Sequence, residues 1–266
     1  MIFIVDGTGP SDDQEYKKAM AKSFCSQLHA ETVHKSIYVR GPTLDGSETH
    51  GIASDIATMI AAVPSSHPIF LCGYSRGGAA VISAAWSVRP RAIQAMFLFD
   101  AVDRAFGTMA ETIPENTKIA YHARRDPRFS QKYDSAVLFT ARDSVFAGLK
   151  AVASLTPVGP LVGAPLQSSI PELAGTVRSF TVAASRAETL KWRSRNDAVP
   201  GLSMFGNCGT QPPARVHMRR FPGTHGALGG VPWSDDEVPG DAAVVPRIRD
   251  WMWRHFRHEK LFAHSV

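Results

Sequence analysis

The residues of this sequence best suited to nucleophilic chemistry are a serine and a histidine in two separate glycine-rich segments. Residues 73–77 read Gly-Tyr-Ser-Arg-Gly, which places Ser75 in a G-x-S-x-G motif. An apolar run at 69–72 precedes this motif, and the small residues 77–80 follow it. Glycines two positions before and after a serine permit a sharp strand-to-helix turn that exposes the serine hydroxyl. Ser75 is therefore predicted to be a nucleophile.

A serine nucleophile needs a general base, and His225 is the best candidate among the ten histidines. It lies in Phe-Pro-Gly-Thr-His-Gly at 221–226, a glycine-rich segment that follows the predicted strand 215–221. Where a G-x-S-x-G serine acts in an α/β sheet, the histidine comes last in chain order, on a late loop. His122 and His50 are weaker candidates, because one falls inside a predicted strand and the other precedes the nucleophile.

The acid that orients the histidine should follow the end of a strand, and three aspartates fit this position. Asp100 closes the apolar run 96–99, and Asp126 follows the run 117–123. Asp197 lies in Asn-Asp-Ala-Val-Pro, which is similar to the acid loop of several lipases. Position along the chain leaves all three aspartates as candidates for the acid.

Backbone N–H groups are expected to stabilise the oxyanion that forms when a serine attacks a carbonyl. The Arg76 N–H, at the start of the predicted helix, is one candidate donor. The loop after the first strand reads Asp-Gly-Thr-Gly at 6–9, so Gly7 and Thr8 are candidates for the second. This loop could instead bind phosphate, but the chain carries neither G-x-x-x-x-G-K-[ST] nor G-x-G-x-x-G, which argues against a nucleotide site.

Apolar runs alternate with helix-length segments, a pattern that predicts an α/β fold with a mostly parallel central sheet and helices on both faces. Ser11 is a candidate N-cap for the first helix. The predicted strands are 2–5, 36–40, 69–72, 96–99, 117–123, 178–184 and 215–221, and the predicted helices are 12–29, 52–63, 76–88 and 241–258.

The chain is predicted to form a single domain over residues 1–266, since no linker or internal repeat divides it. Within it, about 130–180 is a candidate lid or cap insertion, because the stretch 144–166 is apolar and rich in Gly and Pro. The alternative for this stretch is a helix and loop packed on the core.

Composition narrows the classes of partner and the location. The net charge is +5, but Lys and Arg are scattered rather than interleaved with aromatics, so nucleic acid is not an expected partner. A basic surface also suits an anionic membrane or an acidic substrate.

The three cysteines indicate neither a disulfide framework nor a zinc site, and no metal or cofactor is expected. The chain begins on an apolar strand, so a cytoplasmic protein, or one exported without a cleavable signal peptide, is expected.

Five segments in chain order resemble the α/β-hydrolase family that includes the phospholipase effectors of bacterial type VI secretion. The segments are Val-Asp-Gly-Thr-Gly-Pro at 5–10 against F-D-G-T-G-N, Tyr-Val-Arg-Gly-Pro-Thr at 38–43 against Y-x-x-G-x-G-T, Gly-Tyr-Ser-Arg-Gly-Gly at 73–78 against G-F-S-R-G-A, Phe-Asp-Ala-Val-Asp at 99–103 against W-D-T-V-G, and Phe-Pro-Gly-Thr-His-Gly-Ala-Leu-Gly-Gly at 221–230 against F-x-G-x-H-x-D-x-G-G. Ala227 replaces the family's aspartate after the histidine.

The resemblance implies the α/β-hydrolase fold, with Asp100 as the acid in preference to Asp197 and Asp126. It implies hydrolysis of a carboxylic ester, which is a phospholipid ester in the family's characterised members. Peripheral contact with a membrane and an immunity protein as partner would follow if the chain is a secreted effector. Two alternatives are a thioesterase or peptidase that uses the same triad, and a catalytically silent hydrolase fold that serves in binding.

Overall fold

A computed structural model describes residues 1–43, 48–102, 110, 112–126, 215–232, 235 and 238–262. The described strands are β1 (Ile2–Val5), β2 (Ser36–Val39), β3 (Phe70–Tyr74), β4 (Ala95–Phe99), β5 (Ile119–Arg125) and β6 (Arg215–Phe221). They form a six-stranded sheet in the order β2-β1-β3-β4-β5-β6, in which every neighbouring pair is parallel. The α/β class and the parallel sheet are confirmed.

Helices pack on both faces of this sheet, which explains why its central strands are continuously apolar. Successive side chains of β1 alternate between two buried clusters: Ile2 and Ile4 belong to one, Phe3 and Val5 to the other. The described helices are α1 (Asp13–Met20), α2 (Phe24–Glu31), α3 (Thr49–Ala61), α4 (Arg76–Ser87), α5 (His225–Leu228) and α6 (Asp241–His258). The first cluster includes residues of α2 and α6, and the second includes residues of α3 and α4.

The single helix predicted at 12–29 is wrong, since two helices, α1 and α2, occupy this stretch. Ser23 separates them, because its side chain accepts the N–H of Ser26 and caps α2. The predicted cap at Ser11 is also wrong. Asp12 caps α1 instead, and its carboxylate accepts the N–H groups of Gln14 and Glu15.

The carboxyl ends of the parallel strands bring three segments, far apart in sequence, to one edge of the sheet. Ser75 follows β3 directly, Asp100 follows β4 directly, and His225 comes four residues after the end of β6. In α/β sheets this edge is where ligands bind. The topology therefore places the candidate nucleophile, acid and base at the same end of the molecule.

Two glycines of the G-x-S-x-G motif allow the turn between β3 and α4 to form. A methyl group on Gly73 would lie 2.6 Å from the Gly77 carbonyl oxygen and 2.6 Å from Gly78 Cα. One on Gly77 would overlap the backbone carbonyls of Val5 and Asp6. Helix α4 can therefore approach the loop after β1 only because position 77 has no side chain.

The predicted strand 178–184 and the candidate lid at about 130–180 lie outside the described residues, and the single domain over 1–266 stays a prediction. Within the described ranges, no helix combines the length and the apolar character that crossing a bilayer requires.

We expect Gly77→Ala to destabilise the protein severely, because its methyl group meets backbone rather than a flexible side chain. Gly51→Ala is the matched control. Gly51 lies in α3, nothing stands within 4 Å of a methyl group added there, and alanine in a helix is favoured by about 1 kcal/mol over glycine. Thermal unfolding should place Gly77→Ala well below wild type and Gly51→Ala at or above it. Equal unfolding temperatures for the two variants would contradict the packing described above.

Candidate active site

Ser75 occupies the strained turn between β3 and α4. Its backbone has φ 56° and ψ −129°, a positive φ that residues other than glycine rarely adopt. Three hydrogen bonds hold it there: its N–H donates to the Phe99 carbonyl (3.1 Å), and its carbonyl accepts from Gly78 (3.0 Å) and Val102 (3.1 Å). The serine is thus fastened to both its own helix and the neighbouring strand, which fixes the position of its side chain.

His225 is the first residue of the short helix α5, whose N-cap is Thr224. Both carboxylate oxygens of Asp241 accept from Thr224, one from its N–H (2.8 Å) and one from its hydroxyl (2.7 Å). The Tyr74 hydroxyl donates to the His225 carbonyl at 3.0 Å, and the two rings lie 5.0 Å apart. The histidine backbone is therefore held from the α6 side and from the end of β3.

A hydrogen-bonded chain joins Ser75, His225 and Asp100. His225 Nε2 lies 2.8 Å from Ser75 Oγ, and His225 Nδ1 lies 2.7 Å from Asp100 Oδ2. An ionised carboxylate can only accept, so Nδ1 carries the ring proton and Nε2 is left to accept the serine proton. All three residues are at most 2% exposed. This geometry suits general-base activation of the serine hydroxyl.

Asp100 is held in its ionised form by a buried cation. The Arg125 Nε atom lies 3.2 Å from Asp100 Oδ2, and the backbone N–H of Arg125 donates to Asp100 Oδ1 at 3.3 Å. Burial alone would raise the pKa of the Asp100 carboxyl, but the charge of Arg125 and the hydrogen bond from His225 outweigh it and hold that pKa well below its usual range. The carboxylate is therefore charged at neutral pH, as the orientation of a histidine base requires.

The candidate oxyanion donors differ in their availability. Arg76 is the first residue of α4, so its N–H lies at the positive end of the helix, next to Ser75. The Gly7 N–H donates to Asp6 Oδ1 at 2.7 Å and is already engaged. Thr8 is 7% exposed. Its backbone N–H donates to no acceptor in the part of the chain that the structure describes. Of the two loop residues predicted from the sequence, Thr8 is the better donor.

The other candidate bases and acids are not placed as His225 and Asp100 are. His122 is fully buried on β5, and its Nε2 accepts the Ala101 N–H at 3.1 Å, so this nitrogen is occupied. His50 lies on an exposed position of α3. The residue 2.7 Å from the ring of His225 is Asp100 rather than Asp126, whose N–H donates to Phe221 beyond the end of β5. Asp197 lies outside the described residues.

Sequence reasoning missed three residues that support the site, namely Arg125, Asp241 and Tyr74. Arg125 could have been suspected, because an arginine that ends an apolar strand beside a candidate acid has a ready partner. Asp241 carries no local signal, since it opens a separate helix and meets Thr224 only in the folded chain. Tyr74 falls in a variable position of the G-x-S-x-G motif, so the motif does not indicate its contact with His225.

No protein-family model matches this chain, and no curated protein matches it in sequence. The resemblance to the type VI phospholipase family therefore rests on the five motifs alone. Among the described residues, no group of three or more His, Cys, Asp or Glu side chains is arranged to hold a metal ion.

We expect the stabilising effect of Asp100 to depend on acidity. Its pKa in the folded protein lies below the ordinary 3.8, so the stability that it contributes is present above about pH 4 and is lost as the pH falls below that value. Thermal unfolding of wild type and Asp100→Asn from pH 3 to 8 should show a difference in unfolding temperature that narrows below pH 4. A difference at pH 3 as large as that at pH 7 would contradict this assignment.

Proposed function

We propose that the chain is a serine hydrolase that cleaves carboxylic esters through an acyl-enzyme intermediate, with Ser75 as nucleophile, His225 as base and Asp100 as acid. The observation that carries the proposal is the hydrogen-bonded chain from Ser75 Oγ through His225 to Asp100, with distances of 2.8 Å and 2.7 Å. The positive φ of Ser75 is a second support, because a strained elbow is the usual device that presents a nucleophilic serine.

The reaction then runs in two steps. Ser75 Oγ attacks the ester carbonyl carbon while its proton moves to His225 Nε2, and the carbonyl π electrons become an oxyanion. The oxyanion collapses, the ester C–O bond breaks, and the departing alkoxide takes the proton from Nε2. Water then attacks the acyl-enzyme, gives its proton to Nε2 and releases the carboxylic acid, while Ser75 recovers its proton.

Asp100 supports each step by stabilising the imidazolium that forms when Nε2 takes a proton. Arg125 sits on the same carboxylate oxygen as His225 and keeps Asp100 ionised. The N–H groups of Arg76 and Thr8 are the proposed oxyanion donors. An α/β-hydrolase fold with a lipid or phospholipid ester as substrate is the finer part of the proposal, and the sequence resemblance supports it. A thioester or peptide substrate would use the same residues.

The first test is covalent labelling by a fluorophosphonate, combined with hydrolysis of p-nitrophenyl esters of two to sixteen carbons. Wild type should be labelled and active. Ser75→Ala should lose the label and at least about 10⁴-fold in kcat. Ser87→Ala, an exposed serine at the end of α4, is the matched control and should keep both. A preference for long acyl chains would support a lipase. The absence of both label and turnover in wild type would refute the hydrolase proposal and favour a binding protein.

Replacement of each candidate acid by asparagine tests the role of Asp100. Asp100→Asn should lower kcat about 10³- to 10⁴-fold, because an amide that donates to Nδ1 favours the wrong tautomer of His225. Asp126→Asn and Asp197→Asn should retain most of the turnover on the same ester. A larger loss in either of these two variants than in Asp100→Asn would transfer the acid's role to that residue.

A further inference from the structure

Buried side chains bind both peptide groups of Gly7, the Asp6–Gly7 group through its N–H and the Gly7–Thr8 group through its carbonyl, and so hold the Gly7–Thr8 peptide in place. The Gly7 N–H donates to Asp6 Oδ1 (2.7 Å), and the Gly7 carbonyl accepts from the Tyr16 hydroxyl (2.7 Å). The same hydroxyl accepts the Gly41 N–H at 2.6 Å. In a trans peptide the carbonyl and the N–H of the next residue point in opposite directions. Tyr16 therefore fixes the direction of the Thr8 N–H when it binds the Gly7 carbonyl.

The Thr8 N–H is the one group of this peptide that remains available. Thr8 is 7% exposed, and its N–H finds no acceptor within the described ranges. A buried backbone N–H without an acceptor is rare in folded proteins, because desolvation of the group is then uncompensated. Such a group indicates a position where a ligand atom can accept the hydrogen bond.

The loop that carries this peptide lies against the residues on either side of Ser75. A methyl group on Gly7 would overlap the ring of Tyr74, the residue before Ser75. One on Gly77, two residues after Ser75, would overlap the carbonyl oxygen of Asp6. The loop after β1 is thus packed against Tyr74 and Gly77, one residue before and two residues after Ser75.

Burial of the Asp6 side chain is unfavourable for the free energy of folding, because its carboxylate loses its hydration. Its carboxylate is 0% exposed, and its three hydrogen-bond donors, from Ser23, Tyr38 and Gly7, are all uncharged. Burial raises the pKa of the Asp6 carboxyl to about 6 in spite of these hydrogen bonds. An apolar side chain would avoid this cost but would leave the Gly7 N–H without its acceptor. The hydrogen bond to Gly7 is therefore a reason for an aspartate at position 6.

Tyr16 is itself held rigidly. The Arg40 guanidinium lies 4.8 Å from the centre of its ring and donates to the carbonyls of Pro10 (2.7 Å) and Ser11 (2.9 Å). The end of the loop is thereby tied to the same arginine that packs on Tyr16. A rigid support of this kind is what a donor aimed at a transition state requires.

We propose that Asp6 and Tyr16 are positioning residues that hold the Gly7–Thr8 peptide with its Thr8 N–H directed toward Ser75, as the second donor to the oxyanion. This inference rests on the proposed hydrolase function and assigns Thr8, not Gly7, as the donor. It also explains why the Tyr16 hydroxyl binds both Gly7 and Gly41 and why the Asp6 carboxylate is buried. The hydrogen-bonded chain of Ser75, His225 and Asp100 uses neither residue.

Four variants test the assignment by steady-state hydrolysis of p-nitrophenyl acetate. Tyr16→Phe and Asp6→Ala should each lower kcat about 10- to 100-fold, up to the loss typical of one missing oxyanion donor, with KM within about twofold of wild type. Asp6→Asn should recover much of this loss, because its amide oxygen can still accept the Gly7 N–H. Tyr121→Phe, which removes a hydroxyl bonded to Glu259 at 2.9 Å, is the matched control and should leave kcat unchanged.

The inhibition constant of an alkyl trifluoromethyl ketone is a second measurement. It would not change if Tyr16 and Asp6 only stabilised the fold. Ser75 Oγ adds to the ketone carbon, its proton passes to His225, and the ketone oxygen becomes an alkoxide that mimics the oxyanion. The inhibition constant should rise in Tyr16→Phe by about the same factor as kcat falls, and it should not change in Tyr121→Phe.

Two outcomes would overturn the inference, and they are distinguishable. If wild type hydrolyses the ester through Ser75 but Tyr16→Phe and Asp6→Ala retain its kcat and inhibition constant, only the positioning role fails. If wild type shows neither turnover nor fluorophosphonate labelling, the hydrolase function fails and the inference falls with it. Thermal unfolding of every variant, with kcat normalised to the folded fraction, separates loss of the fold from loss of the donor.

Discussion

The left-handed turn at Ser75 is the constraint on which the rest of the site depends. A φ of 56° at a serine is unfavourable by itself and persists only where the surroundings hold it. The surroundings here are backbone groups, namely the Phe99 carbonyl on one side and the N–H groups of Gly78 and Val102 on the other. Since β4 supplies one of these groups and the segment after it supplies another, the elbow and the Asp100 segment are parts of one hydrogen-bonded unit.

Close backbone packing around the turn has a second consequence. Because Gly77 has no side chain, the start of α4 rests on the carbonyls of Val5 and Asp6. The turn that carries Ser75 and the loop after β1 therefore share a rigid contact that involves no flexible side chain. A short distance between a reacting atom and the groups that stabilise its charge is reproducible only with such support.

Two buried aspartates follow strands β1 and β4 at the edge of the sheet that carries Ser75, and their surroundings give them opposite character. Asp100 lies beside the Arg125 guanidinium, and its pKa is depressed because a buried cation favours the charged carboxylate. Asp6 receives only neutral donors, so burial dominates and its pKa is raised to about 6. This contrast matches a division of labour in which one carboxylate must stay charged beside an imidazolium while the other organises backbone.

The sequence by itself determined the α/β class, the elbow and its glycines, and the histidine segment, because each depends on local patterns. Apolar runs of strand length, glycines beside Ser75 and chain order are all visible without a fold. Helix boundaries were less predictable: α1 ends at Met20, and Ser23 caps α2, within a stretch whose sequence pattern predicts one continuous helix.

Position along the chain did not distinguish Asp100 from Asp126, because both follow predicted strands. The family resemblance favoured Asp100, but only the tertiary structure shows that Asp100 is the neighbour of His225. The structure also revealed Arg125 beside Asp100, the Asp241 carboxylate on Thr224, and the engagement of Gly7 that leaves Thr8 as the available donor. Each of these facts is a hydrogen bond or ion pair between side chains or loops on different elements. Such pairings depend on distances that the folding of the sheet creates, and a linear pattern of residue types does not contain them.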